Sequence, residues 1–220
     1  MKHHVMLDID GTLLQSYEMD EQCFVDAVRE TTGLEISTDW GSYPFVTDRG
    51  ILKTFIEEQG LKYSLAELES IVKPVFIRNV QQSVKTSPAQ EVSGAKKFVS
   101  YLLDSDEYVV SIATGGWGET AKIKLESAGF ETEKLAIMSS NDHYSRIKIM
   151  ELAKSAINQI DNNLVTYFGE FIRLKIFKRK EVSSATIKVN KKRRNIVKIW
   201  NKHGLKGVAF LTPLLFSPIG

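Results

Sequence analysis

Two aspartates stand two positions apart, directly after the apolar run 5–7. On an extended backbone such side chains point the same way, so Asp8 and Asp10 can converge on one reacting group. Gly11 then lets the chain turn sharply away from the strand. Because two close carboxylates repel each other, the pair needs a cation, and Mg²⁺ is a hard ion that prefers oxygen ligands. The pattern predicts polar chemistry at the carboxyl end of a strand.

A second polar strand end lies about a hundred residues further along. Thr114 follows the apolar run 108–113 and precedes Gly115 and Gly116. The hydroxyl of Thr114 and the N–H groups of the glycine turn could hydrogen-bond phosphoryl oxygens as charge develops on them. The alternative is a glycine-rich turn that only leads into the following helix.

The segment from Asp8 to Thr12 resembles D-x-D-G-T, the opening signature of the haloacid dehalogenase superfamily of phosphohydrolases. The resemblance covers residues 1–170 and points to its C1-capped, phosphoglycolate phosphatase-like branch. It implies that Asp8 is a nucleophile that forms an aspartyl-phosphate, and that Asp10 is the acid/base. It also implies that Asp8 and Asp10 bind Mg²⁺, the latter through its backbone carbonyl, and that Thr114 belongs to the second motif.

The third motif of the family is a cation near the start of a later helix. Arg146 and Lys148 are the candidates, and Arg146 is preferred because it directly follows Ser145, the expected N-cap. Either cation would neutralise a phosphoryl transition state. The proline that often follows the family's lysine is missing. His143, in the same loop, is a weaker candidate for a substrate contact.

The fourth motif departs from the family pattern. Residues 164–169 resemble the last strand and its glycine, which puts Glu170 in the position of a metal-binding aspartate. Glutamate is a competent oxygen ligand but is one methylene longer. The family also expects a second acid about four residues later, whereas this chain has none until Glu181.

The charge balance changes at the same point. Residues 1–170 hold 16 Lys and Arg against 26 Asp and Glu, and residues 171–220 hold 13 against one. A basic segment of this kind can bind nucleic acid or an anionic surface, which ranks second here. A changed reading frame that leaves a non-native C-terminus is the preferred explanation. A divergent but genuine ending, with 207–211 as a last strand, is the third.

The remaining pattern predicts an α/β fold with a three-layer, Rossmann-like parallel sheet and an inserted helical cap. The core comprises 1–13 and 91–220, and the cap comprises 14–90. Helical periodicity in the cap ends at Gly33 and at Gly60, and a third helix starts at Ser64, where Pro74 should kink or split it. After the cap, strands at 108–113, 134–138 and 164–168 alternate with helices at 94–103, 119–128 and 147–157.

The predicted function is Mg²⁺-dependent hydrolysis of a small phosphorylated metabolite. The alternatives are a catalytically impaired phosphate-binding protein and a 2-haloacid dehalogenase, although Asp10 argues against the latter because that branch lacks it. Specificity should depend on the cap loop 40–49, where Arg49 could hold a second anionic group. No apolar run of 18 to 20 residues is present and Cys23 is a lone, core-type thiol, so a cytoplasmic protein that does not span a membrane is expected.

Overall fold

A computed structural model describes residues 2–157 and 160–169 and shows an open parallel sheet. Its strands are β1 (Lys2–Leu7), β2 (Tyr108–Ala113), β3 (Ala136–Met138) and β4 (Ile160–Phe168), in the order β3-β2-β1-β4. β1 pairs in parallel with both β2 and β4, so the first strand of the chain lies inside the sheet. The α/β prediction is confirmed, and the end of β1 lies between the ends of its two neighbours.

Helices cover both faces of the sheet. The helices after the cap are α4 (Ala95–Leu103), α5 (Gly118–Ser127) and α6 (Arg146–Ser155). Val5 and Leu7 belong to an apolar cluster that contains residues of α4 and α5, whereas Met6 packs with residues of α6 on the opposite face. This alternation follows from the two-residue period of a strand, and it produces the three layers that the sequence predicts.

The predicted cap segment, called the cap below, contains the helices α1 (Tyr17–Thr32), α2 (Asp48–Gln59) and α3 (Leu65–Thr86). Gly33 and Gly60 end the first two with φ angles of 70° and 59°, a left-handed conformation that glycine adopts at little cost. Ser64 and Glu67 form the capping box that opens α3. The chain enters and leaves the cap side by side, because Val92 N donates to the carbonyl of Leu13 at 2.8 Å.

Of the two outcomes predicted for Pro74, a kink or a split of α3, the split does not occur, because the helix runs unbroken through Pro74. A proline inside a helix costs about 3 kcal/mol through the lost hydrogen bond and ring clash. Leu68, Val72, Phe76 and Val80 are all buried and recur every four residues on both sides of Pro74. Burial of this face against α1 outweighs the local penalty.

Trp117, directly before α5, connects the core to the cap. Its side chain is fully buried, with its ring 5.7 Å from that of Phe76 and 6.1 Å from that of Phe24, centroid to centroid. The indole Nε1 donates to Glu69 at 3.1 Å. A core residue therefore completes the apolar cluster of the cap.

Three elements differ from the sequence prediction by two or more residues at one end. β3 begins at Ala136 rather than at residue 134, because Thr132–Lys134 forms a 3₁₀ turn. α6 spans Arg146–Ser155 rather than 147–157, and β4 begins at Ile160 rather than at residue 164. Among the described residues, no helix has the length and hydrophobicity needed to cross a lipid bilayer.

Candidate active site

The first aspartate motif lies in the turn that follows β1. Asp8 N donates to the carbonyl of Phe168 at 2.9 Å, which ties the end of β1 to the end of β4. Gly11 then has a φ angle of 75°, and Leu13 N and Leu14 N both donate to the carbonyl of Ile9. The turn places the side chains of Asp8 and Asp10 in one cleft.

The threonine and its glycine turn follow β2 and face the same cleft. Thr114 is 1% exposed, and its hydroxyl oxygen accepts the N–H of Gly116 at 3.2 Å. Gly115 has no room for a side chain, because a Cβ atom there would lie 2.7 Å from Nη1 of Arg146 and 2.9 Å from the carbonyl oxygen of Val46. Only glycine lets the cap loop and Arg146 approach this turn.

Arg146 is the first residue of α6 and reaches into the cleft. Its Nη2 lies 2.5 Å from Oδ2 of Asp8 and donates to the hydroxyl of Tyr167 at 2.9 Å. Burial raises the pKa of Asp8, while the guanidinium of Arg146 lowers it. Burial would lower the pKa of Arg146, but Asp8 and Tyr167 together outweigh burial and raise that pKa. Burial also raises the pKa of Tyr167 to about 12, so its hydroxyl stays protonated.

Three other candidates from the sequence lie outside the lining of this cleft. Lys148 points away from it and pairs with Glu151 at 2.7 Å, because two residues along a helix rotate a side chain by about 200°. Arg49 lies 3.0 Å from Glu69 and donates to the carbonyl of Asn141 at 3.2 Å. His143 stacks on a neighbouring tyrosine and accepts a backbone N–H through Nδ1.

The cap supplies the other wall of the cleft, whose volume is about 630 Å³ including its open mouth. This wall combines aromatic and acidic side chains, and Trp40 Nε1 donates to Glu21. Asp48 N donates to the carbonyl of Gly115 at 2.9 Å, and Asp48 Oδ2 accepts the N–H of Trp117 at 2.7 Å. The lining residues from the cap are Tyr17, Asp20, Glu21, Phe24, Trp40, Val46, Thr47, Asp48 and Ile51.

Sequence reasoning missed Asp20, Asp48 and Lys124. Burial raises the pKa of Asp48 well above its usual range, and the nearby charge of Asp20 adds to this effect. Burial also raises the pKa of Asp20 to about 6, although Lys124 opposes the rise. A signal for Lys124 is present in the sequence, because it is the only charged residue on the buried face of α5, with Thr120, Ala121 and Leu125.

Lys124 is 1% exposed and makes three short contacts with carboxylates. Its Nζ lies 2.7 Å and 2.8 Å from the two carboxylate oxygens of Asp10 and 2.5 Å from Oδ1 of Asp20. Ser16 Oγ donates to Oδ1 of Asp10 at 2.5 Å. Burial would lower the pKa of Lys124, but the two carboxylates outweigh it and raise that pKa.

The described residues contain no cluster of three or more side chains that could hold a metal ion by themselves. Glu170, the predicted third ligand, lies outside the described residues, as does the basic segment 171–220. Carboxylates nevertheless outnumber cations here, because five acids line the cleft, whereas Arg146 is the one basic residue in its described lining and Lys124 lies behind Asp10 and Asp20. An excess of carboxylate oxygens is the environment that suits a hard divalent cation.

No protein-family model and no curated protein sequence matches the chain significantly. Solved structures do match it. A hydrolase from Pseudomonas syringae is 19% identical, with a TM-score of 0.62 over 77% of this chain and 76% of that one. CbbY from Rhodobacter sphaeroides, solved in complex with phosphate, is 10% identical, with a TM-score of 0.59 over 76% and 77%. A haloacid dehalogenase-like family hydrolase from Streptococcus pneumoniae is 16% identical, with a TM-score of 0.51 over 77% and 76%. The chain therefore has the fold of the haloacid dehalogenase-like hydrolases, which confirms at the level of the fold the resemblance of its first aspartate motif.

Proposed function

We propose that the protein is a phosphohydrolase that removes the phosphoryl group from a small phosphorylated metabolite. The observation that carries the proposal is the meeting of three groups in one cleft. Asp8 follows β1, Thr114 follows β2, and Arg146 begins α6, yet all three line the same space. A nucleophilic carboxylate, a hydroxyl donor and a fixed guanidinium are the groups that phosphoryl transfer requires.

The phosphoryl group would bind beside Asp8 in the cleft, facing the hydroxyl of Thr114 and the guanidinium of Arg146. Thr114 accepts a hydrogen bond from Gly116, so its own hydroxyl proton is available to donate to a phosphoryl oxygen. Arg146 is already fixed by Asp8 and Tyr167. A cation that is held in place before the substrate arrives can stabilise developing charge without reorganising.

The reaction would proceed in two displacements at phosphorus. A carboxylate oxygen of Asp8 attacks phosphorus, the ester P–O bond breaks, and the leaving oxygen takes a proton from Asp10. Asp10 then accepts a proton from water as that water attacks the aspartyl-phosphate, which releases inorganic phosphate and restores Asp8. Two carboxylates in one cleft allow this division into nucleophile and acid/base.

Mg²⁺ fits the site by charge and by ligand chemistry. The carboxylate of Asp8 and the backbone carbonyl of Asp10 would hold it, with Glu170 as the expected third ligand. When bound, the ion would neutralise charge on the phosphate and on the surrounding carboxylates. Asp8 is buried, and among the described residues its one cationic partner is Arg146. A second cation beside this carboxylate would therefore be favourable.

The cap wall supports a small substrate. Phe24 and Trp40 lie against the part of the cleft that a leaving group would occupy, and Asp48 closes the wall beside Gly115. Arg49 could hold a second anionic group only after leaving its contacts with Glu69 and Asn141. A phosphate monoester with one anionic group therefore suits the arrangement better than a bisphosphate.

The test is the Asp8→Asn variant, with Asp106→Asn as the matched control because Asp106 lies fully on the surface. Release of phosphate from p-nitrophenyl phosphate is measured with and without Mg²⁺. Asp8→Asn should lose essentially all Mg²⁺-dependent turnover while keeping its melting temperature within a few degrees, and the control should retain full activity. Activity of Asp8→Asn within a few-fold of the parent would contradict the assignment of the nucleophile.

Two other outcomes separate the alternatives. A parent protein that binds inorganic phosphate by calorimetry but hydrolyses no phosphomonoester is a phosphate-binding protein and not an enzyme. A parent protein that releases chloride from a 2-chloro acid without metal, and that ignores phosphomonoesters, is a dehalogenase. Each result would replace the proposed activity with another function on the same fold.

A further inference from the structure

Lys124 is a buried cation that the proposed reaction does not use. It lies on α5, outside the four sequence motifs, and its ammonium group lies between Asp10 of the core and Asp20 of the cap. Removing a lysine from water is costly, and apolar residues can often replace a buried ion pair with no loss of stability. A purely structural role would therefore not require a lysine at this place.

The contacts of Lys124 determine the orientation of the Asp10 carboxylate. Its Nζ lies within 2.8 Å of both oxygens, so the ammonium bridges them, and Ser16 adds a further hydrogen bond to one oxygen. A carboxylate that is fixed at both oxygens has little freedom to rotate about its side-chain bonds. Its position relative to a reacting group is then set by α5 and by the start of α1.

The cap takes part in this arrangement through two residues. Asp20 lies in the first turn of α1, and Ser16 directly precedes that helix. Lys124 can hold Asp10 and Asp20 together only when the first turn of α1 lies beside Lys124 of α5. The orientation of Asp10 is thereby coupled to the placement of the cap, although Asp10 itself belongs to the core motif.

We propose that Lys124 is a positioning residue that holds the Asp10 carboxylate in register with the leaving group when the cap is docked. This inference rests on the proposed phosphohydrolase function and names a further residue in that same site. Lys124 acts through Asp10 and does not touch the phosphoryl group. Its loss should slow the proton-transfer step and leave phosphate binding intact, because a misplaced acid/base group loses rate while binding contacts persist.

The primary test compares Lys124→Met with Lys122→Met, a matched control that carries the same change at a largely exposed position of the same helix. Turnover is measured on p-nitrophenyl phosphate, which has a good leaving group, and on glycerol phosphate, which has a poor one. Lys124→Met should lower kcat for glycerol phosphate by about 10- to 100-fold and kcat for p-nitrophenyl phosphate by less. KM should change by less than about threefold, and Lys124→Arg should recover part of the loss.

A double variant tests whether Lys124 acts through Asp10. Asp10→Asn combined with Lys124→Met should be within about threefold of Asp10→Asn alone, because the second change removes support from a group that is already gone. Fully additive losses would overturn the proposal, as would a Lys124→Met enzyme that matches Lys122→Met on both substrates. If Lys124→Met does not fold, Asp20→Asn serves as the variant. The proposal would then be overturned if the ratio of kcat on the two substrates were the same as in the parent.

A spectroscopic measurement separates this inference from the proposed function. In protein labelled with ¹⁵N-lysine, a buried ammonium held by two carboxylates should give an exchange-protected NMR signal that disappears in Lys124→Arg and shifts in Asp10→Asn. Absence of that signal in the parent, or its insensitivity to Asp10→Asn, would overturn the role of Lys124. A parent protein that shows the signal but has no turnover contradicts the proposed phosphohydrolase and leaves the Lys124 contact in place.

Discussion

Gly115 is the position where a single methyl group should disturb both the site and the cap. A Cβ atom there would meet Nη1 of Arg146 at 2.7 Å and the carbonyl oxygen of Val46 at 2.9 Å. These distances are shorter than ordinary van der Waals contact by roughly 0.5 to 0.7 Å. The neighbouring atoms would have to move by that amount to accept the methyl group. Arg146 is held by Asp8 and Tyr167, and the other obstacle is backbone, so neither can yield cheaply.

The expected cost of Gly115→Ala follows from comparison with its neighbour. At Gly116 the nearest atoms to a Cβ lie at 3.8 Å, an ordinary contact distance. Both variants gain about 0.4 to 1 kcal/mol because alanine restricts the unfolded chain, and this gain cancels when the two are compared. Overpacking at Gly115 costs about 1 to 3 kcal/mol. The variants should therefore differ by about 2 to 12 °C in melting temperature, at about 2 to 4 °C per kcal/mol for a chain of this size.

The assay is thermal and urea unfolding followed by circular dichroism, with Gly115→Ala and Gly116→Ala measured in parallel. Stability is the appropriate readout, because Gly116 also lines the cleft and a methyl group there could affect substrate binding directly. Melting temperatures of the two variants within about 1 °C of each other would refute the packing argument at Gly115.

Three further predictions concern charge and capping. Arg146→Met should reduce phosphatase activity by about 10³-fold or more, as the loss of other phosphoryl-binding arginines does. Lys148→Met is the control and should match the parent. Similar losses in both variants would contradict the placement of Arg146 beside Asp8. His4 is buried in β1, and burial lowers its pKa to about 4, so the neutral form stabilises the fold above pH 6.5 and that contribution falls as the pH drops toward 4. The free energy of unfolding should thus lose about 2 kcal/mol between pH 8 and pH 5 through this group, measured as the difference between the parent and His4→Gln, and an identical pH dependence in both would exclude it. Thr47→Ala should lower the free energy of unfolding in urea by about 1 to 2 kcal/mol, because it removes both the N-cap of α2 and a hydrogen bond from the cap to the core. A decrease below about 0.3 kcal/mol would show that water replaces these hydrogen bonds.

The sequence was sufficient to predict the fold and the motif residues that line the candidate site. Asp8 and Asp10 are recognisable because residue type, spacing and a preceding apolar run all lie within one short segment. Thr114 is recognisable for the same local reason. Parallel strands then bring these segments together, since the carboxyl ends of β1 and β2 meet at one edge of the sheet.

The residues that surround Asp10 could not be predicted, because their contacts join segments that are distant in sequence. Lys124 and Asp20 are more than a hundred positions apart, and only the folded arrangement shows that Lys124 contacts both Asp10 and Asp20. Local periodicity marks Lys124 as a charged residue on a buried face, but it cannot name the partner. The split of α3 that a local rule allows at Pro74 does not occur for the complementary reason, since burial of the surrounding face keeps the helix continuous.

Because Trp117 is buried between the core and the cap, its fluorescence can report whether the cap is docked. Its indole lies between the core and the cap, against the rings of Phe24 and Phe76 and in hydrogen-bond contact with Glu69. A cap that moves away would expose this indole to water and shift its fluorescence emission to longer wavelength. The chain has two other tryptophans, Trp40 and Trp200, so a Trp40→Phe, Trp200→Phe protein would carry Trp117 as its single tryptophan, which can be excited selectively over tyrosine. Stopped-flow fluorescence of that protein could follow opening and closing of the cleft in real time, with no added dye.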